Sequence, residues 1–192
     1  VLTNRRAEGV DSVGYDATGP MRRALEHLHA FGHRRIAYAG GPAHSPADQA
    51  RRQGIAEVVP SLPGLEIHDL GHFEPGHGEG RSAADLLLAT DATAVLSYND
   101  MVAVQILSRL RERGRSVPED MSVVGIADSL VATAAHPQLT TVRTPHLDIG
   151  RTAVTLPLDR IAPLAAPRPG IKLPVALVVR RSTAAPRAPH PA

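Results

Sequence analysis

Asn99 follows the apolar stretch Thr93-Ala94-Val95-Leu96-Ser97-Tyr98 and opens a helical pattern. Its amide both donates and accepts, which matches vicinal hydroxyls. It also sits at the carboxyl end of a strand, where doubly wound sheets hold ligands. The plainer reading is a helix N-cap, a role asparagine fills well. His68, His72 and His77 have ligand-like spacing, but Pro75, Gly76 and Gly78 argue against an i,i+4 helical pair, so no metal is expected. Gly40-Gly41-Pro42 through Ser45 could cradle an anion, yet G-x4-G-K-S/T is missing and a tight strand-to-helix turn is the simpler reading. There is no G-x-S-x-G, no H-E-x-x-H, and no spacing that singles out a Ser, His and Asp set. The chain has no cysteine, which excludes a thiol nucleophile and Cys-ligated zinc or iron–sulfur. No catalytic residue and no cofactor is expected.

The elements that must position these residues alternate between β-rich runs and helix-length amphipathic segments, the pattern of βαβ units and a parallel sheet. Ser12 to Tyr15 is a short strand. Ala17 to Phe31 is a helix with Met21, Ala24, Leu25, Leu28 and Phe31 at helical spacing, ended by Gly32. Strand 35–39, helix 46–58, strand 65–70 and helix 80–89 follow. Strand 93–98 leads into helix 101–113, ended by Gly114, and 121–126 returns to the sheet. Segment 137–142 is another strand, 147–161 a helix with Pro157 inside it, and Lys172 to Val179 one last strand. Beyond Thr183, an Ala/Pro/Arg tail at 184–192 is expected to be disordered. The fold class is α/β with a doubly wound parallel sheet, which does not by itself name a function.

Composition narrows the field. With 192 residues, 43% of them hydrophobic, the chain is long enough for a real core. The pI near 9.5 comes from arginine, since Lys172 is the sole lysine. No run of five or six like charges marks a nucleic-acid arm. Two phenylalanines, three tyrosines and no tryptophan leave too few aromatics for a single-strand stacking platform. No stretch approaches 18 apolar residues and the N-terminus has no signal-peptide pattern, so a soluble, cytoplasmic chain without membrane contact is expected. The chain opens on Val1, which reads as an alternative start codon or a fragment.

More specific than the alternation is an ordered set of short blocks: Glu26-His27-Leu28, Phe31-Gly32-His33-Arg34-Arg35-Ile36-Ala37, Gly40-Gly41, and Arg51-Arg52-Gln53-Gly54. Then come Tyr98-Asn99-Asp100, Val117-Pro118-Glu119-Asp120-Met121-Ser122-Val123-Val124-Gly125, Pro137-Gln138-Leu139-Thr140-Thr141-Val142, Leu173-Pro174, and Val178-Val179-Arg180-Arg181-Ser182-Thr183. In this order and spacing the chain resembles the LacI/GalR family of bacterial transcription regulators.

The resemblance implies a helix-turn-helix headpiece, a hinge helix, and a sensor of two periplasmic-binding-protein-like subdomains of type I, Rossmann-like topology that hold an effector between them. Set against that plan, 16–144 and 172–183 form a complete C-terminal effector-binding and dimerisation subdomain. Residues 1–15 and 145–171 are remnants of the N-terminal subdomain, with exposed apolar surface where partners are missing. The implied effector-binding residues are Arg51, Asn99, Phe73 and Asp128. Arg51's rigid fork suits a polyol or carboxylate, though a solvated helix position is the plainer reading. Phe73 packs on an effector ring, or else belongs to the core or anchors a loop. Where the family carries an acidic or amide contact stands Ala127; Asp128 either compensates or caps the helix after it. Val104 and Leu107 are the expected dimer contacts. The function implied is the effector-sensing and dimerising domain of a DNA-binding regulator, a repressor responding to a sugar or related small metabolite, that meets operator DNA only through a headpiece this chain lacks. A solute-binding module of a transporter shares the fold and is the alternative; an enzyme is a third class.

Overall fold

Local signals delimit the helices. The computed structural model describes residues 2–4, 11–16, 18–76, 78–158 and 170–187. His77, residues 159–161 of the expected helix and the tail 188–192 lie outside them. Ser45 caps α2 (Pro46–Val58), its hydroxyl accepting from the Asp48 amide at 3.3 Å, with proline at the start where a missing N–H costs nothing. Asn99 caps α4 (Asp100–Glu112), its side-chain oxygen accepting from the Val102 amide at 3.0 Å. Gly32, at φ 97°, follows α1 (Thr18–Ala30), and Gly114, at φ 72°, follows α4; both adopt the left-handed backbone that favours glycine.

The larger sheet holds β3 (Arg35–Gly40), β4 (Glu66–His72), β5 (Ala94–Ser97), β6 (Ser122–Ala127), β7 (Thr140–Arg143) and β9 (Ala176–Val178), in the order β4-β3-β5-β6-β7-β9. All neighbours are parallel except β7 and β9. Both faces are covered, so successive residues of one strand enter different cores. Ile36 and Tyr38 of β3 pack with Met21, Leu25 and Leu28 of α1 and Ile55 of α2. Ala37 and Ala39 face the other way, toward Ala83, Ala84 and Leu87 of α3 (Gly80–Leu87) and Ile106 and Leu110 of α4. Each fully buried large side chain contributes roughly 1.5–3 kcal/mol.

The smaller sheet has three parallel strands in the order β1 (Leu2–Thr3), β2 (Ser12–Tyr15) and β8 (Ile171–Leu173). Its core is Val13 with Ile149 and Leu156 of α6 (His146–Leu158). The outer side of α6 is bare: Leu147 is 77% and Val154 62% exposed. The chain passes between the sheets after β2, after β7 and after β8, and the Lys172 ammonium meets the Asp16 carboxylate at 3.3 Å beside these passages.

Three expectations need correction. The single strand expected over 172–179 is two, interrupted at Pro174-Val175, and β8 belongs to the smaller sheet with β2. The subdomain boundary expected at 171/172 therefore falls near Pro174. The tail expected to be disordered from residue 184 is held through Arg187. Ala184 exchanges bonds with the Ser122 hydroxyl, and the Arg187 guanidinium pairs with Asp120 at 3.1 Å.

Candidate functional site

The parallel strands β3, β5 and β6 end side by side, and the loops leaving them bring the candidate residues together. Tyr98 follows β5. Its ring lies against Gly41, where an added Cβ would stand 2.3 Å from the ring carbon Cδ2. Its hydroxyl is 3.1 Å from the Ser45 hydroxyl. Over the ring sits the Arg51 guanidinium, its central carbon 4.3 Å from the ring centroid. Arg51 comes from the middle of α2 and is only 8% exposed. Its Nη1 is buried without a hydrogen-bond partner. Asn99, next to Tyr98, spends its side-chain oxygen on the cap of α4.

Asp48 fixes this corner. It is fully buried, and Oδ1 accepts from the Gly41 amide and the Tyr38 hydroxyl, both at 2.7 Å. Its Oδ2 accepts from Arg52 Nε at 2.7 Å, and the Arg52 guanidinium continues to Asp69 and the Gly71 carbonyl. Burial pulls the Asp48 carboxyl up, but the donors from Gly41, Tyr38 and Arg52 outweigh it and hold it below the ordinary carboxylate value. Burial, with the bond to Asp48, pushes the Tyr38 phenol far up, so it remains a donor.

Asp100 does the same on the far side. Its Oδ1 accepts from the Thr141 hydroxyl at 2.6 Å, and Oδ2 from the Ser129 amide at 2.7 Å and hydroxyl at 2.8 Å. Gly125 makes room for it: a Cβ there would lie 2.3 Å from Oδ1. Between β6 and α5 (Leu130–Ala134) the chain passes through Ala127 at φ 130° and Asp128 at φ 57°, two successive left-handed non-glycine residues. Such backbone costs of order 1–3 kcal/mol per residue and collects at functional sites.

Of the expected effector residues, the fold thus gathers Arg51 and Asn99 around Tyr98. Asp128 is turned elsewhere. Its carboxylate pairs with Arg143 Nε at 2.6 Å and with the Arg180 guanidinium, and those two cations hold it below the ordinary value against the opposing effect of burial. It neither caps α5, whose N-cap is Ser129, nor keeps an oxygen free of these cations. Phe73 is buried in the core with Ala83 and Leu87 of α3. Leu107, expected at a dimer surface, is 5% exposed and committed to the same core, whereas Val104 is half-buried and Met101, one turn earlier, is exposed. His68 Nε2 lies 3.1 Å from the Asp91 carboxylate without a hydrogen bond to it, and His72 donates to the Gly41 carbonyl at 2.9 Å. Among the described residues, no cluster of three His, Asp or Glu could hold a metal, and no helix is long and apolar enough to cross a membrane.

Sequence reasoning missed Asp48, Asp100 and Tyr98 as organisers. The signals were present in Ser45-Pro-Ala-Asp48 and in Tyr98-Asn99-Asp100, where an acid in the first turn reads as a favourable helix-dipole contact.

Three neighbouring parallel strands ending side by side, with three passages to a second sheet, define an α/β fold of periplasmic-binding-protein type. Residues 25–183 match the family described as a periplasmic binding protein-like domain. The chain is 35% identical over 174 residues to the HTH-type transcriptional regulator MalR of Streptomyces coelicolor, covering 88% of this chain and 51% of that protein. A LacI family transcriptional regulator from Enterococcus faecium, solved with bound ribose, superposes with a TM-score of 0.84 at 30% identity, covering 95% of this chain and 69% of that one. The complex of the regulator CelR with cellobiose superposes with a TM-score of 0.79 at 37% identity, over 91% of this chain and 54% of that one. The chain belongs to the periplasmic binding protein-like family, in the form found in LacI-type regulators. It spans about half the length of the curated relatives it matches.

Proposed function

We propose that this chain is the effector-sensing and dimerising part of a LacI-type transcriptional regulator, answering to a sugar-like metabolite. The observation that carries the reading is the Arg51–Tyr98 stack at the carboxyl ends of β3 and β5. A guanidinium stacked on a ring keeps its in-plane N–H groups for a ligand. Asn99 adds an amide beside them. Phe73 belongs to this proposal as the residue that shapes the floor from within the core, and Asp128 as the one that holds the loop after β6 through Arg143 and Arg180.

A ligand gripped there would favour one setting of the two sheets over another. The three connecting passages are the places where backbone angles change, so binding shifts an equilibrium between open and closed forms. In a dimer, assembled through the outer side of α4 with Val104 and Met101, that shift would be passed to operator DNA through a headpiece that these 192 residues do not include. The work is binding rather than catalysis, and it belongs in the cytoplasm with the DNA. The test is calorimetric titration of the chain with a panel of neutral and charged saccharides. Saturable binding that weakens in Arg51→Gln is expected; no binding by any saccharide overturns the reading. Operator-specific gel shifts by this chain alone would overturn the assignment of DNA contact to a separate headpiece.

A further inference from the structure

The carboxyl end of β4 is irregular. Tyr38 of β3 pairs with Asp69, but Gly40, two residues on, pairs with His72, three residues on, so β4 carries one extra residue there. Gly71 lies in this bulge at φ 101°. A bulge re-aims the side chains around it and leaves a residue outside the ladder. Both consequences are taken up. The Arg52 guanidinium of α2 donates from Nη2 to the Gly71 carbonyl at 3.1 Å, from Nη1 to the Asp69 carboxylate, and from Nε to Asp48 at 2.7 Å. Its central carbon lies 5.2 Å from the centroid of the Tyr38 ring. Gly40 makes the room, since a Cβ there would collide with Arg52 Nη2 and the Gly71 oxygen. His72, just past the bulge, donates from Nδ1 to the Gly41 carbonyl at 2.9 Å, with Asp48 Oδ2 at 3.3 Å from the same nitrogen.

Gly41 is thereby held at both its polar atoms, the amide by Asp48 and the carbonyl by His72, and Arg52 fixes both holders. On Gly41 rests the Tyr98 ring, and on that ring the Arg51 guanidinium. We propose that Arg52 is a positioning residue: by pinning the β4 bulge and Asp48 together it sets the seat of Tyr98, so that effector affinity depends on a side chain that meets no effector. This role rests on the sensing function proposed above and extends it to a residue outside the contact surface. The planar fork is what the task requires, because three acceptors, on α2, on β4 and in its bulge, are met from one rigid plane. An ammonium keeps the charge but cannot span all three.

The full 192-residue chain and its variants are read in two ways. By NMR, the Gly41 α-proton on the ring side should stand well upfield in the unsubstituted chain, because it lies against an aromatic face. In Arg52→Gln it should move toward the position of an unstructured glycine, while the core methyls of Leu139 and Val142 keep theirs. Arg52→Lys should recover little of that shift. Asp69→Asn removes only the outer, more exposed partner and should give the same change in smaller measure, whether or not the arginine variants fold. By calorimetry with ribose, glucose and cellobiose, the tightest of the three should bind about 10-fold more weakly to Arg52→Gln. That loss should vanish in a Tyr98→Leu background, where no ring is left to position; a general weakening of the fold would persist there. A Gly41 proton that keeps its place in both Arg52→Gln and Asp69→Asn overturns the inference. So does an unchanged affinity, or a loss of equal size with and without Tyr98. Binding of none of the three sugars by the unsubstituted chain counts against the sensing role instead, and the Gly41 shift then still decides whether Arg52 holds the seat.

Discussion

Asp48 shows how much one carboxylate can organise when its donors arrive from three directions. Its value below the ordinary carboxylate range means the folded chain binds its proton less readily than the unfolded one. The stability it contributes is complete above the unfolded value near 3.8 and is lost as pH falls through the folded one. Asp48→Asn should therefore lower the urea midpoint at neutral pH and flatten its acid limb, measured from about pH 6 to pH 3. An unchanged acid limb would remove Asp48 from that role. Gly41→Ala is the sharper probe of the site itself. Its Cβ meets the Tyr98 ring at 2.3 Å, so the ring must move and the Arg51 stack must open. Loss of saccharide binding is expected, with destabilisation of about 1–3 kcal/mol in urea unfolding. Little of this pairing was legible in the sequence. Asn99 as a cap could be read from its neighbours, because a cap is made within three residues. Most partners of Asp48, Asp100 and Asp128 come from other elements, Tyr38 of β3, Thr141 and Arg143 of β7 and Arg180 among them, and only the fold decides between a cap and a double arginine clamp.

Helices and their ends were legible for the same reason of locality: Gly32 and Gly114 act on the turn they border. Strand membership was not. Lys172 to Val179 is one β-prone run, and nothing in its composition says that Ile171–Leu173 joins β2 while Ala176–Val178 joins β7. The interrupting Pro174 was the one clue, since proline cannot donate to a ladder. Helix α6 carries the consequence for behaviour in solution. Leu147 and Val154 stand outside a core that, among the described residues, is Val13, Ile149 and Leu156 with partly buried neighbours. The isolated chain should self-associate through this face. Leu147→Lys combined with Val154→Lys should reduce the apparent mass at high concentration in sedimentation velocity and leave the melting temperature within a few degrees. Hydrogen exchange should be faster in β1, β2 and β8 than in β3, β5 and β6, because among the described residues fewer side chains are buried against the smaller sheet.

At the scale of the whole molecule, the segment 181–184 locks the larger sheet from below. Ser182 bridges β6 and β7: its hydroxyl accepts from the Thr140 amide at 2.8 Å and donates to the Val123 carbonyl at 2.6 Å. His33, fully buried, donates from Nε2 to the Ala184 carbonyl at 2.9 Å and accepts at Nδ1 from the Thr93 hydroxyl at 2.7 Å. Burial, foremost, and repulsion from His27 and Arg34 keep its imidazole below 6.5, against the opposing pull of the Ala184 carbonyl. The unfolded chain then takes up the proton first, so stability falls as pH drops through 6.5 and levels off below the folded value. Urea midpoints should decline between about pH 7.5 and 5.5, and His33→Gln, less stable at the upper end, should show a shallower decline. An equal slope in both proteins would exclude His33 as the source.

The antiparallel partner β9 has a meaning for how the protein is made. β7 is synthesised before α6 and β8, which belong to the other sheet, and only afterwards does Ala176–Val178 arrive to cover its outer edge. On a ribosome, the growing chain therefore carries an open row of β7 amides and carbonyls through the whole translation of α6 and β8. That row is the template on which a neighbouring nascent chain would pair. A chaperone that shields this edge until the last strand emerges would govern yield without touching the finished protein.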